Sequence, residues 1–128
     1  MTAPQPTEGE LAILRVLWSR KGPTTVREVH EELLRTKDTA YTTVLKMLTI
    51  MSDKGLVRRD ESERSHTYVP VHAEQAVQTS LLKDLMRRAF SGSALKLVQR
   101  ALDDDTASAE ELEAISKLIA QAKAKQKR

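Results

Sequence analysis

Apolar residues recur at helical intervals through the first third of the chain, and turn residues divide them into three helices. The capping-box sequence Thr7–Glu10 precedes the first helix, which we place from about Glu8 to Ser19. After a Gly-Pro break, a second capping box at Thr25–Glu28 opens a short second helix. A polar turn then leads into a third helix over residues 40–54. The pattern therefore predicts three short helices in succession.

The third helix has two contrasting sides, and Gly55 follows it where a left-handed cap is expected. Its apolar side carries Tyr41, Val44, Leu45, Met47, Leu48 and Met51. Its other side carries Thr42, Thr43, Lys46, Thr49 and Ile50. Hydroxyl groups, one cation and a branched apolar side chain suit contacts with base edges, phosphates and thymine methyls in a DNA major groove. A solvated helix face is the simpler alternative, and Ile50 could also be merely exposed or pack against a neighbouring hairpin.

The period of the pattern changes after Gly55. Residues 56–59 read as a strand, residues 61–65 as a polar tip, and residues 66–69 as a return strand that Pro70 closes. Three helices and a hairpin wing over residues 56–70 form a winged helix-turn-helix. Three arginines of this wing are candidates for contacts with the DNA backbone: Arg58, Arg59 and Arg64. Surface pairs with Asp60, Glu61 and Glu63 are the alternative for the same arginines.

Residues 73–128 read as entirely helical, with breaks at 91–93 and 103–105 and a third capping box at Ser108–Glu111. Their apolar stripes include Leu82, Leu85, Met86, Phe90, Leu95, Val98, Leu112, Ile115 and Ile119. Three such helices cannot build a core of their own, so they either fold back on residues 1–72 or pair with a second copy. We favour a two-fold dimer, because a single winged helix reads only a few base pairs. The tail Lys123–Arg128 is basic and is expected to fray, as a solubilising end or through weak attraction to DNA.

Composition narrows the possible functions. The 128 residues are 40% hydrophobic and 30% charged, with a net charge of +3, which is typical of a globular domain and compatible with a nucleic-acid partner. The chain has no cysteine, no apolar run long enough to span a membrane and no signal-peptide pattern, so we expect a cytoplasmic protein without membrane insertion. His30, His66 and His72 lack ligand spacing, and we expect no metal or other cofactor. No motif of a catalytic site is present, so we expect no enzyme.

Several motifs in order resemble the BlaI/MecI family of penicillinase repressors. They are Glu10-Leu11, Val16-Leu17-Trp18, Thr25-Val26-Arg27-Glu28-Val29, Ala40-Tyr41-Thr42-Thr43-Val44, Lys54-Gly55-Leu56-Val57-Arg58-Arg59 and His66-Thr67-Tyr68-Val69-Pro70. The resemblance runs from about Pro6 to Gln121. It implies a homodimeric transcriptional repressor that binds double-stranded DNA through a winged helix and dimerises through its C-terminal helices.

The chain departs from the family pattern in two places. Ile50 stands where many members have an Arg or Lys, so the operator sequence is expected to differ. In the best-known members, a membrane-bound sensor protease triggers cleavage at an Asn-Phe bond before the last helix. Arg100-Ala101 occupies the matching place here, which argues against induction by that cleavage. A copper-responsive branch with a cysteine-rich tail does not fit a chain without cysteine.

Two other functions fit a winged helix. One is a ligand-responsive regulator of the MarR type, although Trp18, Tyr41, Tyr68 and Phe90 are the only aromatic residues available to line a pocket. The other is a winged helix that binds protein instead of DNA. A mobility-shift assay with DNA from upstream of the chain's own gene distinguishes the last from the first two.

Overall fold

A computed structural model describes residues 5–127, and its architecture is mostly helical with a small antiparallel sheet. In chain order the elements are α1 (Glu8–Arg20), β1 (Thr24–Thr25), α2 (Val26–Leu33), α3 (Tyr41–Asp53), β2 (Val57–Asp60), β3 (Thr67–Pro70), α4 (Glu74–Ala89), α5 (Ala94–Asp103) and α6 (Ala109–Gln126). The predicted fold class, a winged helix followed by helices, is confirmed. The loose start predicted at Pro4 and the last tail residue, Arg128, lie outside the described residues.

Two of the three predicted capping boxes form completely. At α1 the Thr7 hydroxyl accepts the Glu10 N–H and the Glu10 carboxylate accepts the Thr7 N–H, and Thr25 and Glu28 repeat this exchange at α2. At α6 the Ser108 hydroxyl accepts the Glu111 N–H at 3.1 Å, without a return bond to the Glu111 carboxylate, so the third box is half formed. The predicted fraying of the tail is wrong as far as Gln126, because α6 continues to that residue.

Gly55 ends α3 as its position predicts. The residue has φ +81°, its N–H donates to the Ser52 carbonyl at 3.2 Å, and the Leu56 N–H donates to the Met51 carbonyl at 2.9 Å. This pair of bonds is the Schellman arrangement, which requires a residue that tolerates the left-handed conformation. Leu56 is buried, and the chain therefore passes directly from α3 into the wing.

The sheet has the order β1-β3-β2, with β3 antiparallel to both neighbours. The two wing strands lie about one residue later than predicted, and β1 was not predicted at all. At the wing tip the Asp60 carboxylate accepts the Ser62 N–H at 2.9 Å, and this bond holds the pKa of Asp60 below its ordinary value. The tip is thus closed by an aspartate turn in place of the usual glycine turn.

The core lies between α1, α2, α3 and the sheet. Its buried residues are Ile13, Leu14, Val16, Leu17, Val26, Val29, Val44, Leu48, Met51, Leu56, Val57 and Tyr68. Tyr41 and Leu45, which belong to the apolar side of α3 by periodicity, are instead exposed at its margin. The Trp18 indole N–H donates to the His72 carbonyl at 3.0 Å and thereby ties α1 to the segment after the wing.

An ion pair between the buried Glu10 and the partly exposed side chain of Lys54 joins the start of α1 to the end of α3. The Lys54 ammonium donates to both oxygens of the Glu10 carboxylate, at 2.8 and 3.0 Å, and Glu10 is only 5% exposed. Burial raises the pKa of Glu10, but the hydrogen bonds from Lys54 and Thr7 outweigh it and bring the pKa below its ordinary value. A carboxyl group with a lowered pKa stabilises the fold above its unfolded-state pKa, and this contribution is lost as pH falls through the folded-state pKa.

Replacing Glu10 with glutamine is expected to destabilise the N-terminal domain by about 1–3 kcal/mol at pH 7, because charged hydrogen bonds are lost. The difference from the wild type is expected to shrink as pH falls below the ordinary pKa of 4.5. Urea unfolding at several pH values measures both effects. Glu32→Gln is the matched control, because Glu32 pairs with Arg35 at the surface and its loss is expected to change stability by less than about 1 kcal/mol. A Glu10→Gln difference that persists unchanged at pH 3 would contradict the role of the carboxylate charge.

The chain divides into two compact units between Leu82 and Lys83, within α4. Val77, near the start of α4, is buried and belongs to the first unit. The boundary between residues 72 and 73 stays a prediction from composition. In the second unit α5 and α6 bury no residue, and most of their large apolar side chains are exposed, with Leu97 and Ile115 half-buried. Across residues 5–127, no helix has the length and hydropathy needed to cross a membrane.

Candidate nucleic-acid interface

One face of the α3 helix packs against the core, and the opposite face is exposed to solvent. Val44, Leu48 and Met51 are fully buried beneath it. Thr42, Lys46 and Thr49 are exposed on the opposite side at intervals of one helical turn. We call these three residues the outer face of α3. Among the described residues, Lys46 forms no ion pair, so its ammonium group is available to a phosphate or a base.

The remaining predicted residues of α3 lie beside the outer face. The Thr49 hydroxyl donates to the Leu45 carbonyl at 2.9 Å, which leaves its oxygen and methyl group for a partner. Thr43 is exposed on the side nearer α1, where it lines a cleft with Gly9 and Met47. Ile50 is 42% exposed, so the wing does not cover it. The helix therefore presents all five predicted residues, with three at the centre.

The wing separates the three predicted arginines. Arg59 pairs with Glu61 at 2.7 Å, as the surface-pair alternative proposed. Arg58 pairs with Val69 of β3 in the sheet register. Because side chains alternate along a strand, Arg58 lies on the other side of the sheet from the buried Val57. Arg64 lies at the tip and lines a groove beside α3. Arg58 and Arg59 line one pocket on the wing and Arg64 lines another, so the structure does not bring all three arginines together.

The groove between α3 and the wing has a volume of about 450 Å³. Its rim includes Arg27, Tyr41, Leu45, Arg64, Ser65 and His66. Arg27, in the first turn of α2, was missed by the sequence analysis. A cation at that end of a helix is opposed by the helix dipole, and this unfavourable placement is the signal that could have identified it.

The turn before α3 is fixed by His30. Its Nε2 lies 2.7 Å from the Thr39 carbonyl oxygen, and because a carbonyl only accepts, this nitrogen carries the proton. The His30 ring also packs edge-on against Tyr41, with 5.7 Å between the ring centroids. His66 lies in the groove, and His72 meets Trp18 through its carbonyl. Within residues 5–127, no three His, Asp or Glu side chains are grouped as metal ligands.

Two proteins from different bacteria are similar in sequence to this chain. The transcriptional regulator BlaI of Mycobacterium tuberculosis is 41% identical over 80 residues, which are 62% of this chain and 58% of that protein. The chain therefore matches less than two thirds of the length of that relative. The penicillinase repressor of Bacillus licheniformis is 25% identical over 124 residues, which are 97% of this chain and 96% of the relative.

Solved structures are similar in fold. The solution structure of monomeric Bacillus licheniformis BlaI in complex with the blaP half-operator has a TM-score of 0.51 and 27% identity, over 59% of this chain and 90% of that one. A MarR family protein from Bacillus stearothermophilus has a TM-score of 0.52 and 17% identity, over 96% of this chain and 76% of that one. At that identity the likeness concerns the fold alone.

The family model described as penicillinase repressor matches residues 6–121, nearly the whole chain. The motifs that suggested the family, from the Glu10 segment to the end of the wing, lie within the matched range. The fold that the family match implies is also the fold described above. The chain therefore belongs to the penicillinase repressor family, which is the BlaI/MecI family that its motifs resemble.

Proposed function

We propose that this protein is a homodimeric, sequence-specific DNA-binding repressor of transcription that occupies a palindromic operator. The observation that carries the proposal is the outer face of α3, where Thr42, Lys46 and Thr49 stand exposed on a helix anchored from behind. Hydroxyl and ammonium groups bind base edges and phosphates, and a helix of this diameter fits the major groove. The likeness to a structure of BlaI in complex with a half-operator supports the same interpretation.

The α3 helix and the wing have different roles in this proposal. Thr42, Thr43, Lys46, Thr49 and Ile50 meet bases or phosphates in the major groove. Arg58 and Arg64 contact the backbone from the wing, and Arg59 joins them when it exchanges Glu61 for a phosphate. Because phosphate contacts fix orientation and base contacts carry sequence information, the α3 residues determine which operator is chosen.

A second copy of the chain supplies the second half-site. The exposed apolar residues of the C-terminal helices include Leu82, Leu85, Leu95, Val98, Leu112 and Ile119. Met86, Phe90 and Ile115, which belong to the same predicted interface, are half-buried within one chain. Leu102 and Leu118 are exposed as well and join the proposed interface. Apolar faces of this extent favour association, and a two-fold dimer gives the symmetry that a palindrome requires.

Replacing Lys46 with alanine is expected to weaken operator binding by about 5- to 150-fold, because one charged contact in the groove is lost. Thr43→Ala is expected to relax discrimination at one base position instead. Mobility-shift titrations measure both, using the duplex that the wild-type protein selects from a random-sequence library. The affinity of the wild type is expected to fall steeply with salt, as phosphate contacts release counterions.

Arg15→Ala is the control for Lys46→Ala, because Arg15 is an exposed cation on α1 and lies outside the α3 surface. Its affinity is expected to match that of the wild type. Binding that is insensitive to salt, or a Lys46→Ala variant with unchanged affinity, would contradict the proposed mechanism.

The signal that relieves repression is a separate question. Arg100 and Ala101 lie inside α5, and a peptide bond in a helix must unwind before a protease can cleave it. We therefore propose that a sensor protease does not act at this bond.

The MarR-type alternative needs a ligand that releases DNA, and a thermal-shift screen with candidate inducers tests it. Membership in the penicillinase repressor family favours the repressor over this alternative.

A further inference from the structure

We propose that the groove between α3 and the wing binds one phosphodiester segment of the DNA backbone, with Arg27 of α2 and Arg64 of the wing as its cationic ligands. The inference rests on the proposed function and adds a contact that neither the outer face of α3 nor the rest of the wing supplies. Its starting point is the charge of the groove. Arg27, Arg64 and His66 line it, and no carboxylate among residues 5–127 does.

Both guanidinium groups are available to an anion. Among the residues that the structure describes, neither Arg27 nor Arg64 forms an ion pair, whereas Arg20, Arg35 and Arg59 each pair with a glutamate. An unpaired guanidinium presents several N–H donors in a plane, which suits the oxygens of a phosphate. Arg27 and Arg64 thus have the chemistry of phosphate ligands and no competing partner.

The floor of the groove suits the sugar that joins two phosphates. The exposed Leu45 and the buried Val26 and Tyr68 line the same groove and supply its apolar surface. The hydroxyl groups of Tyr41 and Ser65 stand beside them and can donate to phosphate oxygens. A groove lined by both cationic and apolar side chains matches a deoxyribose-phosphate segment better than it matches a small inorganic anion, which has no apolar part.

The groove also has the right position. Tyr41 and Leu45 form the α3 side of the groove. Tyr41 directly precedes Thr42 of the outer face, Leu45 directly precedes Lys46, and Thr49 follows Leu45 by one helical turn. When a helix lies in a major groove, the sugar-phosphate strands run along its two flanks. The strand on the wing side then passes between α3 and the wing tip, where Arg27 and Arg64 lie.

Arg27→Gln tests the proposal, because a backbone contact affects all DNA sequences alike. The variant is expected to bind both the selected duplex and a random-sequence duplex about tenfold more weakly. Its slope of log affinity against log salt is expected to fall by about 0.9, the value of one phosphate. Arg27→Lys is expected to keep the slope, and Arg15→Gln, an exposed cation outside the groove, is expected to change neither quantity. Thermal melts of the variants verify that each is folded.

Neutral methylphosphonates, placed one at a time in the selected duplex, locate the contact. At one position the methylphosphonate is expected to lower the affinity of the wild type but not the already reduced affinity of Arg27→Gln. Arg64→Gln is expected to be equally insensitive at that position or at the adjacent one. An unchanged salt slope for Arg27→Gln, with normal wild-type binding, overturns this site but leaves the repressor proposal standing. A loss confined to the selected duplex overturns it too, because that result indicates base readout. A wild-type protein that binds no duplex overturns the proposed function itself.

Discussion

A Leu95→Asp variant is expected to be a monomer of 14.4 kDa and to bind the full operator at least about 100-fold more weakly than the wild type. Leu95 is 76% exposed in the single chain, so its replacement is not expected to disturb the fold of that chain. We expect an effect on mass and affinity because Leu95 belongs to the proposed dimer interface. A charge within the proposed apolar interface must be desolvated without a partner, which opposes association. Analytical ultracentrifugation at micromolar concentration measures the mass, and mobility shift measures the affinity.

The position is chosen so that the variant keeps its fold. Leu95 lies in the first turn of α5, after the cap residue Ser93, where an aspartate is favoured by the helix dipole. Lys96→Asp introduces the same residue one position later in the same turn and is expected to remain dimeric. A wild-type protein that sediments at 14.4 kDa would contradict the dimer, and a dimeric Leu95→Asp would exclude Leu95 from the interface.

Leu48→Ala is expected to destabilise the N-terminal domain by about 2–5 kcal/mol, because it leaves a cavity beneath α3. Leu48 is 0% exposed and packs in the cluster that joins α3 to α1, α2 and the sheet. A unit of 82 residues has about 4–12 kcal/mol of stability in total. The loss is therefore a large share, and it corresponds to a fall in melting temperature of at least about 8 °C. Urea unfolding and thermal melts measure the change.

Leu45→Ala makes the same chemical change on the same helix and is the control for stability. Leu45 is 42% exposed and borders the groove, so less apolar area returns to water and no enclosed cavity forms. We expect it to cost less than about 1 kcal/mol. Equal losses for Leu45→Ala and Leu48→Ala would contradict the assignment of one residue to the core and the other to the surface.

The features predicted from the sequence are those with local causes. The capping boxes at Thr7 and Thr25 mark the starts of α1 and α2 because their hydrogen bonds join residues three positions apart. Gly55 marks the end of α3 because the left-handed conformation restricts the residue type. The outer face of α3 follows from helical periodicity alone. These signals also carry the family motifs.

The features that sequence reasoning missed depend on pairing across long separations. β1 is two residues long and exists only because Thr24 and Thr25 pair with β3, so it has no period of its own. The ion pair of Glu10 and Lys54 joins residues 44 positions apart. Periodicity placed Tyr41 and Leu45 on the apolar side of α3, yet the wing stands away from them and leaves a groove. Arg27 became a candidate only when α2, α3 and the wing tip met around that groove.

The sequence by itself determined the order of the helices and the two wing strands, the polar face of α3 and the apolar stripes of the C-terminal helices. Each of these is set by residue type and spacing along a single element. Only the tertiary structure decided which cations stay free, because Arg59 is paired with Glu61 whereas Arg27 and Arg64 line an open groove. It likewise decided that the stripes of α5 and α6 bury no residue within one chain, since burial is a property of the surrounding elements and not of the stripe.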